Sequence, residues 1–149
     1  RKFAASGRPV LGICLGMQML LEETEEFGRH EGLGLISGKV VGIPNTTSDG
    51  APHKIPHIGW NQLRKPAGTP SWAGSILSDT PEGASTYFVH SFTAVPKRPE
   101  NRLADCHYNG RLISAAVHAG QVYGCQFHPE KSGPVGLAML TQFLSLVIQ

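Results

Sequence analysis

Hydrophobic positions along the chain fall into short runs separated by glycine, proline and polar residues. The run Val10-Leu11-Gly12-Ile13 reads as a buried strand. It meets Cys14, and a helical pattern follows through Met17, Leu20, Leu21, Thr24 and Phe27, with Gly28 where such a helix would close. Upstream, Arg1 to Ser6 reads as a helix end closed by Gly7 and Pro9. Further strands are expected over Lys39–Ile43, His57–Leu63, Thr86–His90 and Leu112–Val117. Val122–Phe127 would return as a hairpin partner across Ala119-Gly120. The segments 45–52 and 66–81 read as loops, and Pro96 and Pro99 mark another. The stripe Leu137, Leu140, Leu144 and Val147 predicts an amphipathic helix over Val135–Val147. The acidic residues Glu22, Glu23, Glu25 and Glu26 would face water from the helix after Cys14.

Composition narrows the class. The chain has 149 residues, a net charge of +2 and no basic block, so nucleic acid is not indicated as a partner. No run approaches the ~20 apolar residues of a membrane span. Three widely spaced cysteines argue against a disulfide framework and fit a reducing, cytoplasmic setting. Cys106, with His107 and His118, matches no standard metal spacing, so no metal or cofactor is implied, and Cys106 and Cys125 read as structural. The glycine-rich Gly32–Lys39 segment is one residue too long for a P-loop and has Val40 after the lysine; a turn is expected there.

The chemistry centres on Cys14. Strand, sharp turn and helix with Cys14 on the turn, flanked by Gly12 and Gly16, is a nucleophile-elbow pattern. A helix N-terminus favours a thiolate, and the Leu15 N–H would point at an oxyanion formed nearby. Taken alone, the pattern fits a buried structural thiol equally well. At the far end of the chain, Gly124-Cys125-Gln126-Phe127-His128-Pro129-Glu130 closes a strand. Pro129 keeps His128 extended, which puts His128 and Glu130 on one side, where the carboxylate would fix the imidazole tautomer. Cys14, His128 and Glu130 would then form a thiol triad beyond the carboxyl ends of an open α/β sheet.

Gly12-Ile13-Cys14-Leu15-Gly16-Met17-Gln18 and Gln126-Phe127-His128-Pro129-Glu130 resemble the two signature motifs of the class I, or triad, glutamine amidotransferases. His57-Ile58-Gly59-Trp60-Asn61, Tyr87-Phe88-Val89-His90-Ser91-Phe92 and Glu130-Lys131-Ser132 are similar to segments of the glutaminase subunits of imidazole glycerol phosphate synthases. The resemblance covers residues 1–149 as one domain. It implies an open, mixed and mainly parallel flavodoxin-like sheet flanked by helices, with N-terminal strands missing. It further implies glutamine hydrolysis through a Cys14 thioester, with His128 as proton shuttle, Glu130 as its orienter and Leu15 as oxyanion donor. Gln18, His90, Ser91 and Phe92 would bind L-glutamine. Trp60 and Lys131 would lie near a (β/α)8-barrel cyclase that receives the ammonia in a heterodimer of histidine biosynthesis. Two departures stand out: the family's N-terminal strand–helix portion is not in this sequence, and Phe92 replaces the usual Tyr. A piece lacking that portion is expected to hydrolyse glutamine weakly or not at all. The competing readings are a glutaminase serving another synthase, a γ-glutamyl hydrolase on a related fold, and a non-catalytic binding module.

Overall fold

The computed structural model describes residues 1–69 and 71–148. Among the described residues ten strands run in chain order: β1 Val10–Ile13, β2 Glu23–Thr24, β3 His30–Glu31, β4 Gly38–Gly42, β5 His57–Gln62, β6 Ser85–His90, β7 Phe92–Pro96, β8 Arg102–Tyr108, β9 Arg111–Ala119 and β10 Val122–Cys125. The helices are α1 Lys2–Ala5, α2 Leu15–Met19 and α3 Gly133–Val147. Pro70, in the expected 66–81 loop, lies outside the described residues, as does Gln149.

The sheet that carries the site has the order β1-β10-β9-β8. Successive residues of its strands point to opposite faces, and a core fills each side. Leu11, Ala116, Tyr123 and Cys125 face a core with Phe88, Phe127 and Met139. Val10, Val117 and Val122 face the other, with Met17, Leu20, Leu21 and Ile36. The β9–β10 hairpin turns at Ala119-Gly120 as expected, and Asn109-Gly110 joins β8 to β9 with both residues at positive φ.

The mixed α/β character agrees with the sequence reading, but the proportion of parallel pairing differs. Among the described residues β1–β10 and β2–β4 are parallel, and the other strand pairs are antiparallel. Two of those antiparallel strands, β7 and β8, stand where the sequence pattern gave no strand. Pro96 and Pro99 flag a break, yet Pro96 is tolerated as the last residue of β7.

Two helices also depart from their periodicity. The segment after Cys14 is helical only to Met19 and then extends into β2, leaving Phe27 fully in solvent. The helix stops because incoming backbone caps it: Leu33 N–H donates to Met19 O at 2.8 Å, Leu35 N–H to Leu20 O at 2.9 Å and Gly34 N–H to Leu21 O at 2.9 Å. Those carbonyls would otherwise be orphaned at a helix end. In α3 the expected stripe is not the buried face. Leu137, Leu144 and Val147 are more than half exposed, whereas Gly136 and Met139 are buried and Val135, Phe143 and Leu146 pack on the core. The helix is apolar on several sides, so period alone does not fix its rotation. The close approach of Gly136 to Pro129 does.

Candidate active site

Cys14 caps α2 with φ 52° and ψ −110°, a strained conformation for a residue with a side chain. The strain is held from both sides. Its N–H donates to Cys125 O at 2.7 Å, extending the β1–β10 ladder, and its carbonyl accepts from Gln18 N–H at 3.2 Å. The turn is tight enough that a Cβ on Gly12 would sit 2.5 Å from Gly16 O and 2.8 Å from Met17 N. Gly16 itself has open space around its Cβ position and an ordinary φ, so steric need for glycine lies at Gly12 and not, as the spacing suggested, at both.

Parallel pairing of β1 with β10 brings the two ends of the sequence together. Ile13 stands opposite Cys125, so the chain leaves both strands at the same edge. Gln126, fully buried, directs Nε2 to Cys14 Sγ at 3.8 Å. His128 is extended, with φ −100° and ψ 99°, and lies two residues beyond Gln126. Its Nδ1 is 2.7 Å from Glu130 Oε1, the pairing expected from His-Pro-Glu. The segment is fastened to β6: His128 N–H donates to Tyr87 O at 2.9 Å, and Ser132 Oγ accepts from Tyr87 N–H at 3.0 Å while donating to His128 O at 2.6 Å. Among the described residues the hydrogen-bond partners of Sγ are Gln126 and, at 3.9 Å, the Val89 carbonyl; the His128 ring is not one of them.

The Cys14 thiol is held above its usual pKa, contrary to the expectation from a helix N-terminus. Burial is the main cause, the Leu15 N–H opposes it, and the carboxylates of Glu130 and Glu26 raise it further. With only five residues, α2 has little dipole to offset this. The sulfur therefore rests as a thiol near neutral pH.

A cleft of about 240 Å³ opens at the sulfur, lined by Cys14, Leu15, Gln18, Glu26, Val89, His90, Ser91 and Phe92. All four candidate binding residues are thus gathered there. A larger hollow of about 650 Å³, with Trp72, Leu103, His118 and Tyr123 in its wall, does not include Cys14, His128 or Glu130. Glu26 is the residue the sequence pattern misplaced. Glu22, Glu23 and Glu25 pair with Lys97, Arg29 and Lys39 at 2.7, 2.6 and 3.0 Å. Glu26 has no such cation among the described residues and turns into the cleft, because β2 lies along β4 instead of continuing a helix.

His90 is buried beside the cleft and touches His57, Nε2 to Nδ1, at 2.9 Å. Burial pushes both rings down to about 4, and for His57 the neighbouring His90 adds to it. An imidazole ordinarily titrates near 6.5. Between those two values the unfolded chain takes up protons that the folded pair refuses. The contribution of the rings to stability is therefore complete above pH 6.5 and is lost as pH falls toward 4. Thermal melting across that interval should show a falling Tm, by a ΔG on the order of a few kcal/mol. His57→Asn should flatten the slope.

Trp60 and Lys131 are on the surface. Trp60 is 59% exposed, and its ring meets Tyr87 edge-on with centroids 6.0 Å apart. Ile58, two residues earlier on the same face of β5, is 51% exposed. Lys131 ends the Pro129–Lys131 turn that is bonded to β6 through His128. Cys106 and Cys125 are buried, and burial raises both thiols far above their usual range. Among the described residues no group of three His, Cys, Asp or Glu is arranged to hold a metal, and no helix is long and apolar enough to cross a membrane.

The family described as glutamine amidotransferase class-I matches residues 1–146. The chain belongs to that family. Within it, the subunit HisH 1 of imidazole glycerol phosphate synthase from Legionella pneumophila strain Lens is 56% identical over 146 residues, 98% of this chain and 68% of the relative. The subunit HisH from Geobacillus thermodenitrificans is 46% identical over 147 residues, 99% of this chain and 66% of the relative. This amidotransferase chain thus spans about two thirds of the length of such relatives. A solved glutamine amidotransferase superposes with a TM-score of 0.62 at 19% identity, covering 99% of this chain and 66% of that one. A glutamine amidotransferase from Thermotoga maritima superposes at 0.54 and 22% identity, covering 97% and 48%. At those identities the solved structures establish an amidotransferase fold and nothing finer.

Proposed function

We propose that this chain is the glutaminase part of an imidazole glycerol phosphate synthase, with Cys14 as nucleophile, His128 as base and Glu130 as the group that orients it. The observation that carries the reading is the strained elbow of β1 delivering a thiol to the same sheet edge at which β10 delivers a carboxylate-bound imidazole, beside a cleft. The relatives' names supply the synthase.

Glu130 accepts the Nδ1 proton of His128 in a hydrogen bond and leaves Nε2 free as base. Nε2 takes the proton from Cys14 Sγ, and the thiolate attacks the side-chain amide carbon of L-glutamine. The Leu15 N–H faces the oxyanion. His128 returns its proton to the leaving nitrogen, which departs as ammonia and leaves a γ-glutamyl thioester. Water, deprotonated by the same imidazole, hydrolyses the thioester to glutamate and restores the thiol. Gln18, Ser91 and Phe92 enclose the substrate, and the Glu26 carboxylate receives its α-ammonium group. Phe92 contributes its backbone carbonyl, which holds Gln18 Nε2 and His90 Nδ1 in place. Trp60, Ile58 and Lys131 form the exposed rim on which a (β/α)8-barrel cyclase sits to receive the ammonia, and three free thiols suit a reducing cytoplasm.

The test is ammonia release from L-glutamine by the full protein, alone and with the cyclase, together with labelling of Cys14 by a glutamine-analogue electrophile. Both are expected; a chain that is not labelled and releases no ammonia in the complex is not this enzyme. Binding through anthranilate or GMP synthase partners instead would reassign the pathway. Glu26→Gln should raise KM for glutamine about ten- to a hundredfold with little change in kcat, as expected when a charge-assisted bond to substrate is lost. Steady-state kinetics read this directly.

A further inference from the structure

We infer that His57, His90 and Asn61 form a one-way hydrogen-bond ladder that positions the Phe92 carbonyl, and through Gln18 and Gln126 the Cys14 sulfur, for the reaction proposed above. The direction of every rung follows from the groups that can only accept or only donate. His90 Nδ1 lies 2.7 Å from Phe92 O; a carbonyl only accepts, so the proton is on Nδ1. Neutral His90 then accepts at Nε2, and His57 Nδ1, 2.9 Å away, must donate. Neutral His57 accepts at Nε2, toward which Asn61 points its amide Nδ2 at 3.4 Å. Asn61 is itself fixed, since Nδ2 donates to His107 O at 2.8 Å and Oδ1 accepts from Gln62 N–H at 2.8 Å.

The ladder continues into the site. Phe92 O also accepts from Gln18 Nε2 at 3.3 Å, and the same Nε2 donates to Gln126 Oε1 at 3.1 Å. Gln126 Nε2 then reaches Cys14 Sγ at 3.8 Å. His57, His90, Gln18 and Gln126 are all buried, so a rung lost is not replaced by bulk water. The His57 ring is stacked between Tyr108 and Phe88, with centroids 4.2 and 4.9 Å away, which leaves a ring flip as its main alternative. A flip would break both of its bonds. An added proton at either Nε2 would face a donor, and the low pKa values of the two rings agree with that cost. These are positioning residues: His57 and Asn61 do not line the cleft.

The inference rests on the glutaminase reading, and two measurements separate their failures. Nitrogen-15 NMR of the histidine rings in the full protein should show His57 and His90 both neutral and both protonated on Nδ1 at neutral pH. An Nε2–H tautomer or an imidazolium at either ring overturns the ladder, whatever the enzyme does. In kinetics with the cyclase bound, His57→Leu should raise KM for glutamine about tenfold, the size of one lost bond to a buried acceptor, with kcat changed less. His57→Asn, whose amide replaces the Nδ1 donor, should restore most of it. An unchanged KM in the leucine variant, or an asparagine variant no better than leucine, overturns the proposal. If His57→Leu does not fold, Asn61→Leu takes its place: His57 should keep its Nδ1 proton, because His90 Nε2 still needs a donor, but its ring loses the bond that fixes it at Nε2, and KM should rise. An unchanged KM, or a His57 proton found on Nε2, overturns the proposal. A wild-type complex that releases no ammonia defeats the glutaminase reading alone, because the ring tautomers are still decided by NMR.

Discussion

Cys14→Ala is expected to lower the rate of glutamine hydrolysis by about 10⁴-fold or more, because Cys14 carries the only thiol among the described residues that line the cleft and a triad stripped of its nucleophile works poorly. Glutamine binding should survive, since Gln18, Glu26 and the Ser91–Phe92 backbone are untouched. Equilibrium binding together with single-turnover ammonia release distinguishes the two effects. The elbow adds a sharper comparison. At φ 52° and ψ −110° both Cys and Ala are strained, whereas glycine is at ease in such a conformation. Cys14→Gly should therefore be as inactive as Cys14→Ala yet more stable than it, by about 1 kcal/mol. A Tm of the glycine variant at or below that of the alanine variant would mean that the turn stores no strain.

Gly136→Ala is expected to damage both folding and activity. A Cβ at this position would run into the carbonyl of Pro129, with Pro129 Cα 2.9 Å away, and both are backbone or ring-bound atoms that cannot swing aside. Either α3 lifts from the core, exposing Met139 and Phe143, or the Pro129–Lys131 turn moves and takes His128 and Glu130 with it. Overpacking of this kind costs about 1–3 kcal/mol. Denaturant unfolding should show the loss. At temperatures where the variant is still folded, kcat should fall more than the residual stability explains, because the imidazole is bonded to a displaced turn. Leu137→Ala, one position along on the exposed face, should leave both nearly unchanged.

Much of this site could be read from residue order. Gly12, Cys14 and the apolar run before them are local requirements: a strand, a turn too close for a Cβ, and a residue carried on that turn. His-Pro-Glu is also local, because proline restricts the backbone before it and puts two side chains on one side. The β9–β10 hairpin is announced by its turn residues. What local pattern could not supply was the length of α2, the placement of Glu26, the rotation of α3 or the strands β7 and β8. Each of these is decided by a distant segment. Amides from residues 33–35 end α2, and pairing with β4 swings Glu26 into the cleft. Pro129 selects the buried face of α3, and β4 and β9 supply the ladders that make β7 and β8 strands.

The thiol's protonation belongs to the same group. A helix start after Cys14 suggests a thiolate, but the sum of burial and two carboxylates raises the pKa, and charges brought close by folding have no signature in the order of residues. The sequence by itself determined the candidate reacting groups, the turn that carries each and the family to which the chain belongs, since those follow from short-range backbone geometry and side-chain chemistry. Only the tertiary structure decided that the cysteine and the histidine–glutamate pair leave adjacent parallel strands at one edge, and that Gln18, Gln126 and two buried histidines are joined into a single network beside them. Long-range strand pairing and burial set those distances and proton positions.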